Sequence, residues 1–205
     1  MWVVKIGGSL LGSPELERWL EVTAKHADGK VILVPGGGVF ADAVREAQTL
    51  SKISDACAHR LAVLAMDQFG LLLADMNPLL ATASSEMEID ERTWQHRGIV
   101  WLPSRMVLAD KKIPQNWSMT SDSLAAWLTH KLGALHLVLV KSDKPEGKKL
   151  CLKTITEDGL VDEVFGDYAL QQAFSPWIVK KSDITHFEDG ICEQKLSEVA
   201  SAVVH

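Results

Sequence analysis

Two apolar runs near the start of the chain each end at a group of glycines. Residues 2–6 are apolar apart from Lys5 and stop at Gly7-Gly8-Ser9, and residues 31–34 stop at Pro35-Gly36-Gly37-Gly38. Apolar runs of this length that end at glycine predict buried strands followed by tight loops.

Amphipathic stretches follow both loops. Apolar residues recur at helical spacing over 14–27 and again over 39–50, and Ser13-Pro14 is a typical helix start. A strand–helix–strand–helix order predicts right-handed crossovers in a parallel sheet. Both glycine loops then lie at the carboxyl ends of their strands, where open α/β sheets bind ligands.

The rest of the chain continues this alternation. Short apolar runs predict strands over 79–85, 99–102, 137–140, 150–155 and 177–179, and helical spacing predicts helices over 51–75, 120–132, 168–174 and 193–204. The charged segment 86–96 is expected to be a connection. The predicted fold is a single-domain, three-layer α/β/α sandwich, residues 1–205, with a mainly parallel central sheet.

Composition and charge narrow the classes of function. The 205 residues are 47% hydrophobic and 23% charged, with a net charge of −6, which argues against a nucleic-acid-binding surface. No apolar run is long enough for a membrane span, and the N-terminus lacks the pattern of a signal peptide. Three widely spaced cysteines, Cys57, Cys151 and Cys192, indicate neither a disulfide framework nor a metal site. We therefore expect a cytoplasmic protein without nucleic-acid or membrane partners.

The first glycine loop combines features that suit a phosphate. Lys5 supplies a cation near the end of its strand, and Gly7 and Gly8 allow a ligand close to the backbone. Ser9 is a candidate cap for a following helix, whose N-terminus favours anions. The alternative is an edge strand with a lysine that extends into solvent, followed by an ordinary turn.

The second glycine loop admits another interpretation. Residues 36–41 fit the dinucleotide fingerprint G-x-G-x-x-A. That fingerprint also requires a strand with a terminal acid about 20 residues further on. Here the following segment is predicted to be helical, with Asp55 as its only acid near the right distance. Nicotinamide binding is therefore disfavoured.

Two helical segments carry further candidate residues. Thr120-Ser121-Asp122-Ser123 begins a predicted helix, and Asp122 falls in its first turn, where the helix dipole favours a carboxylate. The functional alternative is that Asp122 holds Lys5. In the helix over 51–75, a solvated face is favoured for His59, Arg60 and Asp67, and substrate binding is the alternative.

The ordered motifs together resemble the amino acid kinase superfamily, which includes acetylglutamate, uridylate and isopentenyl phosphate kinases. The resemblance covers residues 2–147 and rests on Val4-Lys5-Ile6-Gly7-Gly8-Ser9, Pro35-Gly36-Gly37-Gly38, and Thr120-Ser121-Asp122-Ser123. The segment from His59 to Asp67, and Trp117 just before Thr120, look like the kinases of methanofuran biosynthesis in particular.

The resemblance implies transfer of the γ-phosphoryl group of ATP, with Mg²⁺, to a small phosphate monoester. It implies an acceptor lobe at about 1–115, a nucleotide lobe at about 116–205, and a homo-oligomer. Lys5 and Asp122 would be catalytic, and Gly36, Gly37, Gly38, His59 and Asp67 would bind the acceptor. The nucleotide contacts would come from residues after the first and fifth strands: Gly7, Gly8, Ser9, Lys141, Ser142 and Asp143.

The chain departs from the superfamily pattern in two places. Many members carry Thr-Asp-Val-x-Gly where this chain has Lys141-Ser142-Asp143, and many have a second catalytic lysine near the C-terminus that has no clear counterpart here. Lys141, Lys144, Lys180 and Lys181 are candidates for that role. Two other functions therefore remain open. They are a kinase of the same fold with a carboxylate or carbamate acceptor, and a non-catalytic nucleotide-binding regulator or storage protein.

Overall fold

The computed structural model describes residues 1–169 and 174–205. Its strands, in chain order, are β1 (Trp2–Ile6), β2 (Val31–Pro35), β3 (Leu80–Ala83), β4 (Gly98–Trp101), β5 (His136–Lys141), β6 (Lys149–Cys151), β7 (Ser175–Lys180) and β8 (Ser201–Val204). Its α-helices are α1 (Pro14–Lys25), α2 (Gly38–Ser51), α3 (Asp55–Asp75), α4 (Glu86–Trp94), α5 (Ser104–Val107), α6 (Ser121–Lys131), α7 (Leu152–Glu157), α8 (Phe165–Ala169) and α9 (Glu193–Val199). Two 3-10 segments, Gly8–Leu10 and Lys181–His186, follow β1 and β7.

All eight strands belong to one sheet, in the order β3-β4-β2-β1-β5-β7-β8-β6. Neighbouring strands are parallel except for β7 and β8, which run antiparallel. β1 lies between β2 and β5, and its last residue, Ile6, is in register with Pro35 and Val140. The loops after these three central strands therefore leave the same edge of the sheet. The predicted α/β/α sandwich is confirmed.

Each face of the sheet packs against its own layer of helices. Along β1, Val3 belongs to the core shared with α6 and α8, whereas Val4 and Ile6 belong to the core shared with α1 and α9. Side chains alternate between the two faces of a strand. Lys5 therefore points to the same face as Val3, towards α6. Lys141 on β5 shares that face with Leu139.

Helix α3 has the length and composition of a membrane span. Its residues Val63 and Met66 contribute to one core cluster and Phe69 and Leu73 to the other. One side of this helix therefore belongs to the protein core.

Several predicted boundaries were wrong. The segment 86–96, predicted to be a connection, contains α4. Ser85 caps the start of this helix, where its side chain accepts a hydrogen bond from the Glu88 amide. The segment 150–155 is divided between β6 and α7. The predicted C-terminal helix ends at Val199, and residues 201–204 form β8. The prediction was wrong because the apolar residues at positions 196, 199, 203 and 204 are compatible with either a helix or a strand. The predicted helix over 168–174 overlaps α8 only at residues 168 and 169. Residues 170–173 lie outside the described residues.

Candidate active site

Two lysines share one carboxylate where the central strands end. Lys5 Nζ lies 2.9 Å from Asp122 Oδ1, and Lys141 Nζ donates to Asp122 Oδ2 at 2.6 Å. Lys141 Nζ also donates to the Leu160 carbonyl at 2.6 Å. Lys5 and Asp122 are each only 5% exposed. The predicted approach of Asp122 to Lys5 is confirmed, and Lys141 joins the pair.

Burial and neighbouring charges shift the pKa values of Asp122 and Lys141. Burial favours the protonated form of Asp122, but the ammonium groups of Lys5 and Lys141 outweigh it and lower the pKa of Asp122 to about 2. Burial lowers the pKa of Lys141, and the charge of Lys5 acts in the same direction, whereas Asp122 opposes both. Two lysine side chains thus face a single ionised carboxylate, an arrangement that suits an anionic ligand.

Asp162 fixes the helix that carries Asp122. It accepts hydrogen bonds from the amides of Thr120 at 3.0 Å and Ser123 at 3.1 Å, and from both side-chain hydroxyls. Thr120 occupies the predicted N-cap position, but its own side chain makes no cap bond. Burial raises the pKa of Asp162, and the nearby charge of Asp122 raises it further.

The two glycine loops pack directly against each other. A Cβ on Gly8 would lie 2.2 Å from the Gly38 nitrogen, and one on Gly36 would lie 2.6 Å from the Gly8 nitrogen. Gly38 also has a φ of +55°, which other residues adopt at a cost. Glycine is required here by backbone contact between the loops, before any ligand is considered.

The sheet uses two of the six amides that the sequence assigns to phosphate binding. The Gly7 amide donates to the Val140 carbonyl at 3.3 Å, and the Gly36 amide donates to the Ile6 carbonyl at 2.9 Å. Both extend the sheet beyond the strand ends, so these two amides do not face a ligand. The amides available to an anion are those of Gly8 and Ser9 in the first loop and of Gly37 and Gly38 in the second.

Helix α2 directs an uncapped N-terminus into the same cleft. Gly37 is its N-cap residue and has no side chain to satisfy the first amides. The first turn of a helix leaves N–H groups without intrahelical partners, and its dipole favours anions. A cleft of about 710 Å³, including its open mouth, runs along this end of α2 and is lined by Gly8, Ser9, Gly38 and Arg45 among others.

The loop after β5 contacts the first glycine loop. Ser9 Oγ lies 2.8 Å from Ser142 Oγ, so Ser9 contacts this loop and does not cap a helix as the sequence suggested. Asp143 is exposed and pairs with Lys180 at 2.9 Å. The exposed pair Asp143–Lys180 is separate from the buried cluster around Asp122.

A second cavity, of about 480 Å³ including its open mouth, lies between α2, α3 and the segment before α6. Its apolar lining consists of Ala41, Ala62, Val63, Met66, Met119 and Leu124. Its other lining residues are Gly37, Arg45, His59, Trp117, Thr120 and Ser121. Because Gly37, Ala41 and Arg45 line both spaces, the cavity adjoins the glycine cleft.

Arg45 and Trp117 are held together at this junction. The guanidinium carbon of Arg45 lies 4.6 Å from the centre of the Trp117 ring. Trp117 Nε1 donates to Gln48 Oε1 at 2.6 Å, and Arg45 Nη1 pairs with Asp42 at 2.7 Å. Arg45 thereby adds a cation to the cleft that Gly37 and Gly38 also line.

The three polar residues of α3 have different surroundings. His59 is 4% exposed and lines the second cavity, so the favoured solvated position was wrong for it. Arg60 is exposed, as expected. Asp67 is half-buried and accepts from the Ser104 amide at 3.1 Å, at the start of α5. Acceptor binding by Asp67 stays a prediction, and its observed partner is a helix terminus.

No metal cluster of three or more His, Cys, Asp or Glu residues occurs in the described part of the chain. Cys57, Cys151 and Cys192 are free and exposed. Asp122 and Asp162 are the acids of the central cluster, and both have their oxygens engaged by lysines or by the start of α6. The donor set does not by itself form a cation site.

Sequence reasoning missed Arg45 and Asp162. Arg45 follows Gly37 and Ala41 at helical spacing of four, and that spacing is a signal that could have placed it beside the second glycine loop. Asp162 accepts hydrogen bonds from Ser123 and Thr120, which precede it in the sequence by 39 and 42 positions. The sequence around Asp162 carries no motif.

Comparison with known proteins gives a consistent result. Residues 1–144 match the model of the amino acid kinase family. The [5-(aminomethyl)furan-3-yl]methyl phosphate kinase of Methanocaldococcus jannaschii is 29% identical over 190 residues, which covers 87% of each chain.

Two solved structures share the fold. Uridylate kinase from Archaeoglobus fulgidus superimposes with a TM-score of 0.69 at 15% identity, over 99% of both chains. UMP kinase from Ureaplasma parvum superimposes with a TM-score of 0.66 at 14% identity, over 100% of this chain and 98% of that one.

Proposed function

The chain belongs to the amino acid kinase family and is a phosphotransferase, and from this premise we propose that it transfers the γ-phosphoryl group of ATP to a small phosphate monoester. The observation that carries the proposal is the shared carboxylate of Asp122, which holds the ammonium groups of Lys5 and Lys141 where the glycine loops meet. In the reaction, an acceptor phosphate oxygen bonds to the γ-phosphorus while the bond to the ADP oxygen breaks. The products are ADP and a diphosphate.

Lys5 and Lys141 stabilise the charge on the transferring phosphoryl group. Phosphoryl transfer depends on positioning and charge stabilisation more than on covalent chemistry. Asp122 fixes both cations before substrate arrives, so little reorganisation is needed during the reaction. Lys141 thereby fills the role of the second lysine, from the end of β5. No side-chain base is needed, because the attacking oxygen is already anionic.

The two loops divide the phosphates between them. The amides of Gly8 and Ser9, with Ser142, are proposed to hold the ATP phosphates. Gly37, Gly38 and the start of α2 are proposed to hold the acceptor phosphate, with Arg45 as its cation. Residues 1–115 would accordingly supply most of the acceptor site, and residues 116–205 would bind the nucleotide together with Gly8 and Ser9 of the first loop.

Mg²⁺ fits this site only as a companion of the nucleotide. Mg²⁺ in kinases is held largely by substrate phosphates and water, with one or two carboxylates. Asp122 already serves two lysines, so it would contribute at most through a bound water. The ion, when bound, neutralises phosphate charge.

The acceptor suggested by the relative is [5-(aminomethyl)furan-3-yl]methyl phosphate, an intermediate of methanofuran biosynthesis. The second cavity supports an acceptor with a small apolar body, since Val63, Met66 and Leu124 line it beside Gly37. The use of ATP favours a cytoplasmic location.

We also propose a homo-oligomer. Leu61, Leu64 and Leu71 are 37%, 42% and 54% exposed and recur at helical spacing along α3. An apolar stripe of this kind on a helix supports association with a second copy. Size-exclusion chromatography with light scattering tests it, and a monomer at micromolar concentration would contradict it.

The direct test is a transfer assay with ATP and a panel of acceptors, with ³¹P NMR of the products. The panel contains the aminomethylfuran phosphate, UMP, isopentenyl phosphate and acetylglutamate. We expect a diphosphate with a phosphate monoester. An acyl phosphate from acetylglutamate would support a carboxylate kinase instead, and tight ATP binding without transfer to any acceptor would support a nucleotide-binding regulator.

A further inference from the structure

The second cavity contains one buried polar atom that the protein leaves unsatisfied. His59 lines the cavity and is 4% exposed, and its Nε2 has no hydrogen-bond partner among the described residues. A buried polar atom without a partner costs roughly 1–3 kcal/mol. Such an atom in the wall of a ligand cavity indicates a partner that arrives with the ligand.

The other ring nitrogen sets the chemistry of Nε2. The backbone of Asn116 raises the pKa of His59, as a carbonyl that accepts from the ring does. Because Nε2 has no partner, we assign the donated proton to Nδ1. Burial outweighs this effect of Asn116 and lowers the pKa of His59 overall, which favours the neutral ring. A neutral imidazole with its proton on Nδ1 presents a bare lone pair at Nε2.

The remaining lining of the cavity strengthens this assignment. Arg45 is a donor, and no carboxylate belongs to the residues that line the cavity within the described ranges. The apolar wall formed by Val63 and Met66 offers no hydrogen bonds. Among the α3 residues that line the cavity, His59 is therefore the one with a side-chain hydrogen-bond acceptor, while anion-binding groups lie on the α2 side.

We propose that His59 selects acceptors by accepting a hydrogen bond, through Nε2, from a donor group on the acceptor's apolar body. The substrate class is a phosphate monoester whose small ring also carries a hydrogen-bond donor such as a primary ammonium group. This inference rests on the proposed function for the site of the phosphate. It goes further in naming the second polar group of the substrate and the residue that recognises it.

The test compares two probes that differ only in the donor. They are [5-(aminomethyl)furan-3-yl]methyl phosphate and its 5-methyl counterpart, which lacks the amine. Calorimetric binding and steady-state kinetics are measured for the unmodified protein, for His59→Phe, and for Met66→Leu. Phenylalanine keeps a ring and removes the lone pair. Met66→Leu changes the shape of the same cavity and conserves its volume and its apolar character.

We expect the unmodified protein to bind the amine probe about 10- to 100-fold more tightly than the methyl probe. His59→Phe should lose this preference, because it weakens the binding of the amine probe alone. In the kinetics, the KM for the amine probe should rise while kcat changes little. Met66→Leu should keep the preference.

Equal binding of the two probes by the unmodified protein, binding of neither, or a preference that survives in His59→Phe would each overturn the inference. Selective binding of the amine probe without phosphoryl transfer would instead overturn the proposed reaction and leave the role of His59 supported.

Discussion

The backbones of Gly8 and Gly38 are in direct contact, since a Cβ added to Gly8 would lie 2.2 Å from the Gly38 backbone nitrogen. The loop after β1 and the start of α2 are therefore one interlocked unit. In the proposed reaction they hold the donor and acceptor phosphates, so this contact fixes the distance between the reacting groups.

Gly8→Ala should separate the two loops. The obstructing atoms are backbone, which cannot move aside by rotating a side chain. A displacement of about 1 Å between reacting groups costs on the order of 10²-fold in rate, so kcat/KM should fall at least that far. Steady-state kinetics and a thermal melt measure the loss of activity and of stability.

Gly12→Ala is the control, since Gly12 has a φ of +80° but no atom within 4 Å of an added Cβ. It should lower stability by about 1 kcal/mol and keep kcat. Near-normal turnover in Gly8→Ala would show that the contact does not set the geometry.

Lys141→Met should lower kcat by on the order of 10²–10³ while the chain stays folded. Lys5 still pairs with Asp122 in this variant, so no buried carboxylate is left alone. Lys144→Met is a matched control, because Lys144 donates to Ser201 Oγ at 2.9 Å, away from Asp122. The kinetics of the two variants at saturating ATP give the answer. Equal kcat values for both would remove Lys141 from the role of second lysine.

Asp122→Asn should destabilise the protein at neutral pH by about 3–5 kcal/mol, because it leaves two buried lysines without a counter-charge. The pKa of Asp122 is depressed from 3.8 to about 2 in the folded state. The contribution of ionised Asp122 to the free energy of unfolding is therefore present above about pH 4 and is lost as the pH falls towards 2. The stability difference between the unmodified protein and Asp122→Asn should shrink across that window. Urea unfolding at pH 7 and pH 3 measures it, and a difference that does not change with pH would contradict the assignment.

The sequence predicted the parts of the site that rest on local motifs. The apolar runs and glycine loops located β1, β2 and the cleft, and Asp122 in the first turn of its helix was recognised as a possible partner of Lys5. The alternation of side chains along β1 explains why this succeeded, since Lys5 shares the face of Val3 and hence of α6.

The parts that could not be predicted depend on contacts between distant segments. Nothing local to Gly7 or Gly36 indicates that the sheet takes their amides. The burial of His59 depends on how α3 meets the segment at Trp117. Asp162 lies about 40 positions from the helix start that it satisfies, and such a pairing leaves no periodic signal in one sequence.

The most direct test of the whole account is the kcat of Lys5→Met, measured beside its ATP affinity and its melting temperature. Charge moves onto the transferred oxygens as the bond breaks, so the cation matters most in the transition state. We predict a fall in kcat of on the order of 10²–10³ with a much smaller change in ATP binding. Lys5→Arg should not restore activity, because a planar guanidinium cannot replace a point charge beside Asp122. A folded Lys5→Met variant with near-normal kcat would contradict the account, since it would place the transferring phosphoryl group away from the Lys5–Asp122–Lys141 cluster.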